Sequence, residues 1–290
     1  MSRAPGERTS MPARKLPEEL FAGTTPAVDG IRVGVGGWTF SPWRANFYPA
    51  GLVQRRELEY ASRRLSAIEI NGTFYGAQKP ATYAGWAAQT PEDFVFSVKA
   101  PMRIVQSKVL AKAGGQVDDF LGGLVALGDR LGPVVWQFES PNLDREDLAA
   151  FLELLPREID GRRIRHVLDV RSPGFVDARY VALAREHGVA TVFTDSREFP
   201  SFSDITADFI YARLMRSRSE IPQGYTDEEL DHWAARARIW ARGGVPDDLP
   251  RITANGTPPA PARDVFVYFI SAAKERNPAA AMALIQRLAR

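Results

Sequence analysis

Eight short apolar runs rich in β-branched and aromatic residues punctuate the chain, at 31–36, 67–71, 94–99, 133–138, 164–170, 190–194, 209–214 and 265–270. Segments with apolar residues at helical spacing lie between most of them. The segment 55–65 carries Leu58, Ala61 and Leu65 on one face, and 81–88, 117–127, 144–155, 177–187, 227–241 and 278–288 follow similar patterns. Asn142 and Asn277 stand where helix caps are expected, and Pro278 suits a first helical turn. Strands alternating with helices predict a parallel sheet with right-handed crossovers, and eight such units predict an α/β fold of the (β/α)8 TIM-type barrel. Two irregularities are expected. The stretch 195–208, interrupted by Pro200, leaves little room for a helix between strands six and seven, and 243–263 before strand eight reads as a long Pro- and Gly-rich loop. A doubly wound open sheet is the alternative if the last strand fails to pair with the first. Residues 1–30, with Pro5, Pro12 and Pro17, read as a flexible tail with a short helical turn near 17–22, which leaves 31–290 as one barrel domain.

Polar residues collect where the apolar runs end. They are Glu69 and Asn71, Lys99, Gln137 and Glu139, Asp169 and Arg171, Asp195, and Tyr211 and Arg213. Strand residues two apart share a face, so several of these form same-face pairs. The C-terminal strand ends of a barrel surround one mouth, where active sites sit. Glu69, Lys99, Asp169 and Asp195 are therefore the candidate catalytic groups, with Asn71, Gln137, Arg171, Tyr211 and Arg213 as substrate contacts. A bland alternative exists, in which the charges pair off as a structural network. Beside Arg171 or Arg213, Lys99 is expected to favour its neutral form, suited to a base or Schiff-base nucleophile, while Glu69 or Asp169 opposes that shift. Arg213, Arg216 and Arg218 after strand seven, with Lys274 and Arg276 after strand eight, suggest a phosphate site.

Composition narrows the chemistry. The 290 residues contain no cysteine and three histidines, which removes thiolate nucleophiles, iron–sulfur clusters and thiolate zinc sites. His166 alternates out of phase with Asp169 and Arg171, so it is expected to face the helices; His187 precedes a helix-ending Gly188, and His232 lies within a helix. No cofactor is required, although Glu69, Asp169 and Asp195 offer oxygen ligands of the kind Mg²⁺ or Mn²⁺ prefers. Formal net charge is +2, so bulk charge does not mark a nucleic-acid binder. No apolar stretch reaches the roughly eighteen residues of a membrane span, and a cytoplasmic protein is expected. Gly34-Val-Gly36-Gly37 lacks the third glycine of a dinucleotide fingerprint, and no Walker A, Gly-x-Ser-x-Gly or His-Glu-x-x-His motif occurs. Trp38, Phe40, Trp43, Phe47 and Tyr48 are expected mainly to pack the first loop, with Trp38 and Tyr75 as ligand contacts.

At these residues the sequence resembles the YecE-like family, domain of unknown function 72, from about Ile31 to the C-terminus. The likeness rests on Gly37-Trp38, Trp43, Phe47-Tyr48-Pro49, Glu69-Ile-Asn-Gly-Thr-Phe-Tyr75, Trp86, Thr90-Pro91, Phe94 to Lys99, Trp136-Gln-Phe138, Arg165-His166, Asp169-Val-Arg171, Asp195, Tyr211-Ala-Arg-Leu214, Tyr225 and Trp233-Ala234. The resemblance implies a TIM-type barrel and supplies no established reaction. The chain departs from the family pattern at three rims. Ile104-Val105-Gln106 stands where Ile-Thr-His is frequent, Arg213-Leu214-Met215-Arg216 where Arg-Leu-His-Gly is, and Ile270-Ser271-Ala272 where Asn-Asn-Asp is. Two rim histidines and an acid are thus replaced. Together these readings predict an enzyme acting on a phosphorylated or otherwise anionic small substrate, by carboxylate and lysine acid–base chemistry. The alternatives are a nuclease-like phosphoesterase using a divalent ion, and a non-catalytic barrel that binds small molecules or nucleic acid.

Overall fold

The computed structural model describes residues 17–253 and 261–290. Eight parallel strands close a barrel in sequence order. They are β1 (Ile31–Gly36), β2 (Ala67–Ile70), β3 (Val95–Lys99), β4 (Leu131–Phe138), β5 (His166–Val170), β6 (Ala190–Thr194), β7 (Phe209–Leu214) and β8 (Asp264–Phe269). The last strand pairs with the first along Ile31↔Val265 to Val35↔Phe269, which settles the barrel against an open sheet. No helix among the described residues is long and apolar enough to cross a membrane.

Alternation within the strands decides which side chains fill the barrel. Ala67, Val95, Val135, Val167, Ala190, Val192, Phe209, Tyr211, Phe266 and Tyr268 form the inner core. Phe266, Tyr211 and Tyr268 are a column of neighbouring rings, with centroids 6.3 and 5.1 Å apart. Gly34, opposite Tyr268, has no space for a side chain, because a Cβ there would lie 1.9 Å from the Ala67 carbonyl oxygen and 3.3 Å from the Tyr268 ring. The intervening positions, among them Ile68, Phe96, Trp136, Leu168 and Phe193, pack outward into the larger core beneath the helices. At the N-terminal end Asp264 pairs with Arg165 at 2.6 Å and Arg32 at 3.4 Å.

The helices follow their apolar stripes but start and stop on local chemistry. The helix expected at 144–155 is Arg145–Leu152, and its cap is Asp144, whose carboxylate accepts from the Asp147 N–H at 2.8 Å, so Asn142 is not the cap. Asp177 likewise caps Ala178–His187, which ends on Gly188 in the left-handed conformation (φ 63°) that a glycine tolerates. Thr226 and Glu229 form a reciprocal capping box before Asp227–Ala241. The last helix, Asn277–Leu288, already includes Asn277. That side chain instead accepts from Ser217 Oγ at 2.8 Å and donates to the Ser271 carbonyl at 3.2 Å, tying the loops after β7 and β8 together. The helix expected at 55–65 is shorter, a 3-10 turn running into Glu57–Ala61. Between β6 and β7 there is no helix, as Pro200 suggests. The expected turn near 17–22 is a 3-10 helix at Glu18–Phe21, while residues 1–16 and 254–260 of the expected tail and loop lie outside the described residues.

Candidate active site at the barrel mouth

The aromatic column is capped by a charged layer. Arg213, only 2% exposed, donates through Nε to Glu69 Oε2 at 3.0 Å and through Nη1 to Asp169 Oδ2 at 2.6 Å and Gln137 Oε1 at 3.0 Å. Tyr211 donates its hydroxyl to the same Glu69 oxygen at 2.6 Å. One step below, Ser97 Oγ and the Tyr268 hydroxyl share a 2.7 Å hydrogen bond. Burial works against the Arg213 charge, but Glu69 and Asp169 outweigh it and hold the guanidinium firmly protonated. Burial, with the Glu69 charge alongside, pushes the Tyr211 phenol well above its ordinary value.

Above this layer opens a cavity of about 390 Å³, a size suited to a small ligand, lined by Glu69, Asn71, Phe74, Tyr75, Lys99, Gln137, Glu139, Arg171, Arg213, Ser271, Lys274 and Asn277 among others. Arg171 forms part of the wall, donating to Glu139 at 3.0 Å, Asp169 at 3.3 Å and Gln137 at 3.1 Å, with Phe199 stacked 4.0 Å beneath its guanidinium. Lys99 Nζ lies 3.8 Å from the centre of the Phe74 ring. Burial first, then the positive charges of Arg213 and Arg171, lowers its pKa from 10.5 to about 8 against the opposing pull of Glu69 and Glu139. Lys274 lies over Phe40, and burial lowers its pKa too.

Glu69, Asn71, Tyr75, Lys99, Gln137, Arg171 and Arg213 thus meet at one cavity. Four of the expected residues stand elsewhere. Asp169 lies behind Arg213, and Tyr211 is sealed beneath Glu69. Trp38 packs edge-on against Trp86, with centroids 5.0 Å apart, and does not line the cavity. Asp195 is outside the mouth. It accepts from the Met215 N–H and, at 3.0 Å, from the Tyr225 hydroxyl, so it pins the chain that follows β7. Strand alternation accounts for this. Ala190 and Val192 point into the barrel, which makes Thr194 the inward residue and turns Asp195 out. Burial raises the Asp195 carboxyl from 3.8 to about 6.

The expected phosphate cluster is also divided. Arg213 is held at the cavity floor by Glu69, Asp169 and Gln137, and Lys274 is in the cavity wall. Arg216 and Arg218 line a separate cleft with Arg197 and Phe199, and Arg218 is paired with Glu229. Arg276 donates to the Ser219 carbonyl at 3.0 Å. No group of three His, Asp or Glu side chains suited to a metal ion occurs among the described residues, because a guanidinium separates Glu69 from Asp169 and Asp195 is remote. The three histidines keep off the mouth. His166 accepts from Trp136 Nε1 at 3.1 Å and meets the Pro156 carbonyl at 2.8 Å, while His187 and His232 are on helices. Of the remaining charged cavity residues, Lys274 is expected from the sequence as part of a phosphate site, and Glu139 is expected at a strand end but without a role. Glu139 was findable, since it lies two positions beyond Gln137 and shares its face.

Fold and mouth define a TIM-type barrel protein with a charged, ligand-sized cavity at the C-terminal strand ends. The chain belongs to the family described as protein of unknown function DUF72, which it matches over residues 32–290. It is 30% identical over 139 residues to the UPF0759 protein YecE of Escherichia coli strain K12, a match covering 47% of this chain and 48% of that protein, so it spans about half the length of this curated relative. Among solved structures it resembles a DUF72 family protein from Thermotoga maritima MSB8 (TM-score 0.64, 20% identity, 88% of this chain and 96% of that one). A second, from Enterococcus faecalis V583, gives a TM-score of 0.62 at 15% identity, covering 89% and 94%. These two likenesses concern the fold.

Proposed function

We propose that this chain is an enzyme acting on a small anionic substrate, a phosphate or carboxylate ester or acid, with proton transfer by Lys99 and the Glu69 carboxylate. The observation that carries this reading is the imbalance of partners inside the cavity. Both arginines are engaged by Glu69, Asp169 and Glu139, whereas Lys99 and Lys274 form no ion pair among the described residues. The unbalanced positive charge sits in a partly desolvated cavity, where it attracts an anion more strongly than at an open surface. A cytoplasmic location belongs to this reading, since charged small molecules are retained there. The test is thermal unfolding with inorganic phosphate, with sodium chloride at equal ionic strength as control. A hundredfold excess over Kd is expected to raise Tm by about 5 °C. Lys274→Met is expected to abolish most of that rise, while Arg216→Ala in the separate cleft leaves it intact. Equal shifts with phosphate and chloride would sink the proposal.

A further inference from the structure

The two cavity lysines are held differently. Lys274 lies in a 3-10 turn outside the barrel strands. Lys99 is the last residue of β3, and its backbone is fixed on both sides. Thr73 Oγ1 donates to the Lys99 carbonyl at 2.7 Å, and the Ala100 N–H donates to the Val135 carbonyl at 2.8 Å. Its amine lies on the Phe74 ring and not on a carboxylate. Lining the same cavity, Glu69 Oε1 is buried with no hydrogen-bond partner among the described residues, although Oε2 of the same carboxylate accepts from both Tyr211 and Arg213. A buried carboxylate oxygen without a partner is costly unless a ligand or a transferring proton completes it.

We infer that Lys99 is a covalent catalytic residue, its Nζ forming an imine with an aldehyde or ketone that also carries an anionic group received by Lys274. This rests on the anion-site reading and specifies the substrate class and the reacting atom. The chemistry balances within the cavity. No ion pair joins Lys99 to Glu69, so the Lys99 ammonium passes a proton to Glu69 Oε1 through an intervening solvent water, and the neutral nitrogen forms a bond to the carbonyl carbon as the C=O π pair moves to oxygen. A proton shift from nitrogen to that oxygen gives the carbinolamine. Glu69 then returns its proton to the hydroxyl, the C–O bond breaks, and water leaves. The product is a protonated imine beside a restored carboxylate, with no oxidant or reductant needed. The lowered pKa supports the same assignment. At about 8, roughly a quarter of Lys99 is neutral at about pH 7.5, against about a thousandth of an ordinary lysine at 10.5.

The test is reductive trapping. The full chain is incubated with sodium cyanoborohydride and dihydroxyacetone phosphate or pyruvate as anionic carbonyl probes, with acetone as the uncharged control. Adducts are located by intact mass and peptide mapping. One adduct per chain is expected, of probe mass less one oxygen, on Lys99, forming about tenfold or more faster than on any surface lysine. Both anionic probes should outrun acetone. Lys99→Arg, which keeps the charge and the packing on Phe74, is expected to lose the adduct while melting as a folded protein. Labelling spread over surface residues such as Lys79 and Lys112, labelling confined to Lys274, or no adduct with either anionic probe would overturn the assignment. If phosphate still stabilises the protein in that case, the anion site stands without imine chemistry. If phosphate is also silent, both readings fall.

Discussion

Replacing Arg213 with methionine is expected to destabilise the protein by about 3–5 kcal/mol near neutral pH. Among the described residues the guanidinium is the only cation within hydrogen-bonding reach of Glu69, which is 0% exposed, and it makes the shorter of two ion pairs on Asp169, which is 7% exposed. Methionine fills much of the same volume, so the loss reports Glu69 left without a counter-charge and Asp169 left with Arg171 alone, and not a cavity. Urea unfolding near neutral pH should show this gap between the variant and the unmodified protein. Adding Glu69→Gln and Asp169→Asn to the methionine variant should recover much of the loss, because neutral amides need no counter-charge. A loss below about 1 kcal/mol would mean that Lys99 or water replaces Arg213 without strain.

The second large effect concerns two buried groups that titrate in opposition. His166 is held neutral between Trp136 and Pro156, and burial lowers its pKa from 6.5 to about 4. The unfolded chain takes up that proton first, so the stability His166 carries is intact above pH 6.5 and is lost as pH falls towards 4. Asp195 behaves in the opposite sense. Its folded pKa, about 6, exceeds the ordinary 3.8, so its ionisation penalises the native state above about 6 and the penalty lifts as pH falls. Between about pH 7 and about pH 4.5 each term is worth about 2 kcal/mol, and the two nearly cancel. Unfolding free energies over this window should separate them. His166→Gln should gain about 2 kcal/mol on acidification relative to the unmodified protein, and Asp195→Asn should lose a similar amount. Parallel pH profiles for all three proteins would refute the assignment.

Most of the barrel could be read from the sequence because strands buried on both faces advertise themselves as apolar runs, and because the polar residues that close them fall at period two. Glu69 with Asn71, Gln137 with Glu139, and Tyr211 with Arg213 all follow that rule. Asp195 follows a strand end as the others do, but counting inward positions from Ala190 and Val192 places it outside the mouth. Trp38 was indistinguishable from a ligand contact until Trp86, 48 residues away in sequence, was found against it. Helix starts depended on which of two nearby polar residues reached the free N–H groups, as at Asn142 and Asp144. Pairing within the mouth was the least legible feature. Three acids and three bases on five strand ends admit many pairings, and only their three-dimensional placement shows that Arg213 binds two carboxylates while Lys99 binds none among the described residues.

The rim after β8 has its own consequence. Ser271 and Ala272 both adopt positive φ, 60° and 46°. Serine and alanine have no ease in this region and lose about 1–2 kcal/mol each by entering it. The conformation is held from outside, by Asn277 on the Ser271 carbonyl and by the Lys274 and Ala273 N–H groups on the Ala272 and Ser217 carbonyls. Ser271 borders both the cavity and the neighbouring Arg197–Arg216 cleft. Their shared border is therefore a spring under tension, and Asn277 is one of the contacts that keep it wound.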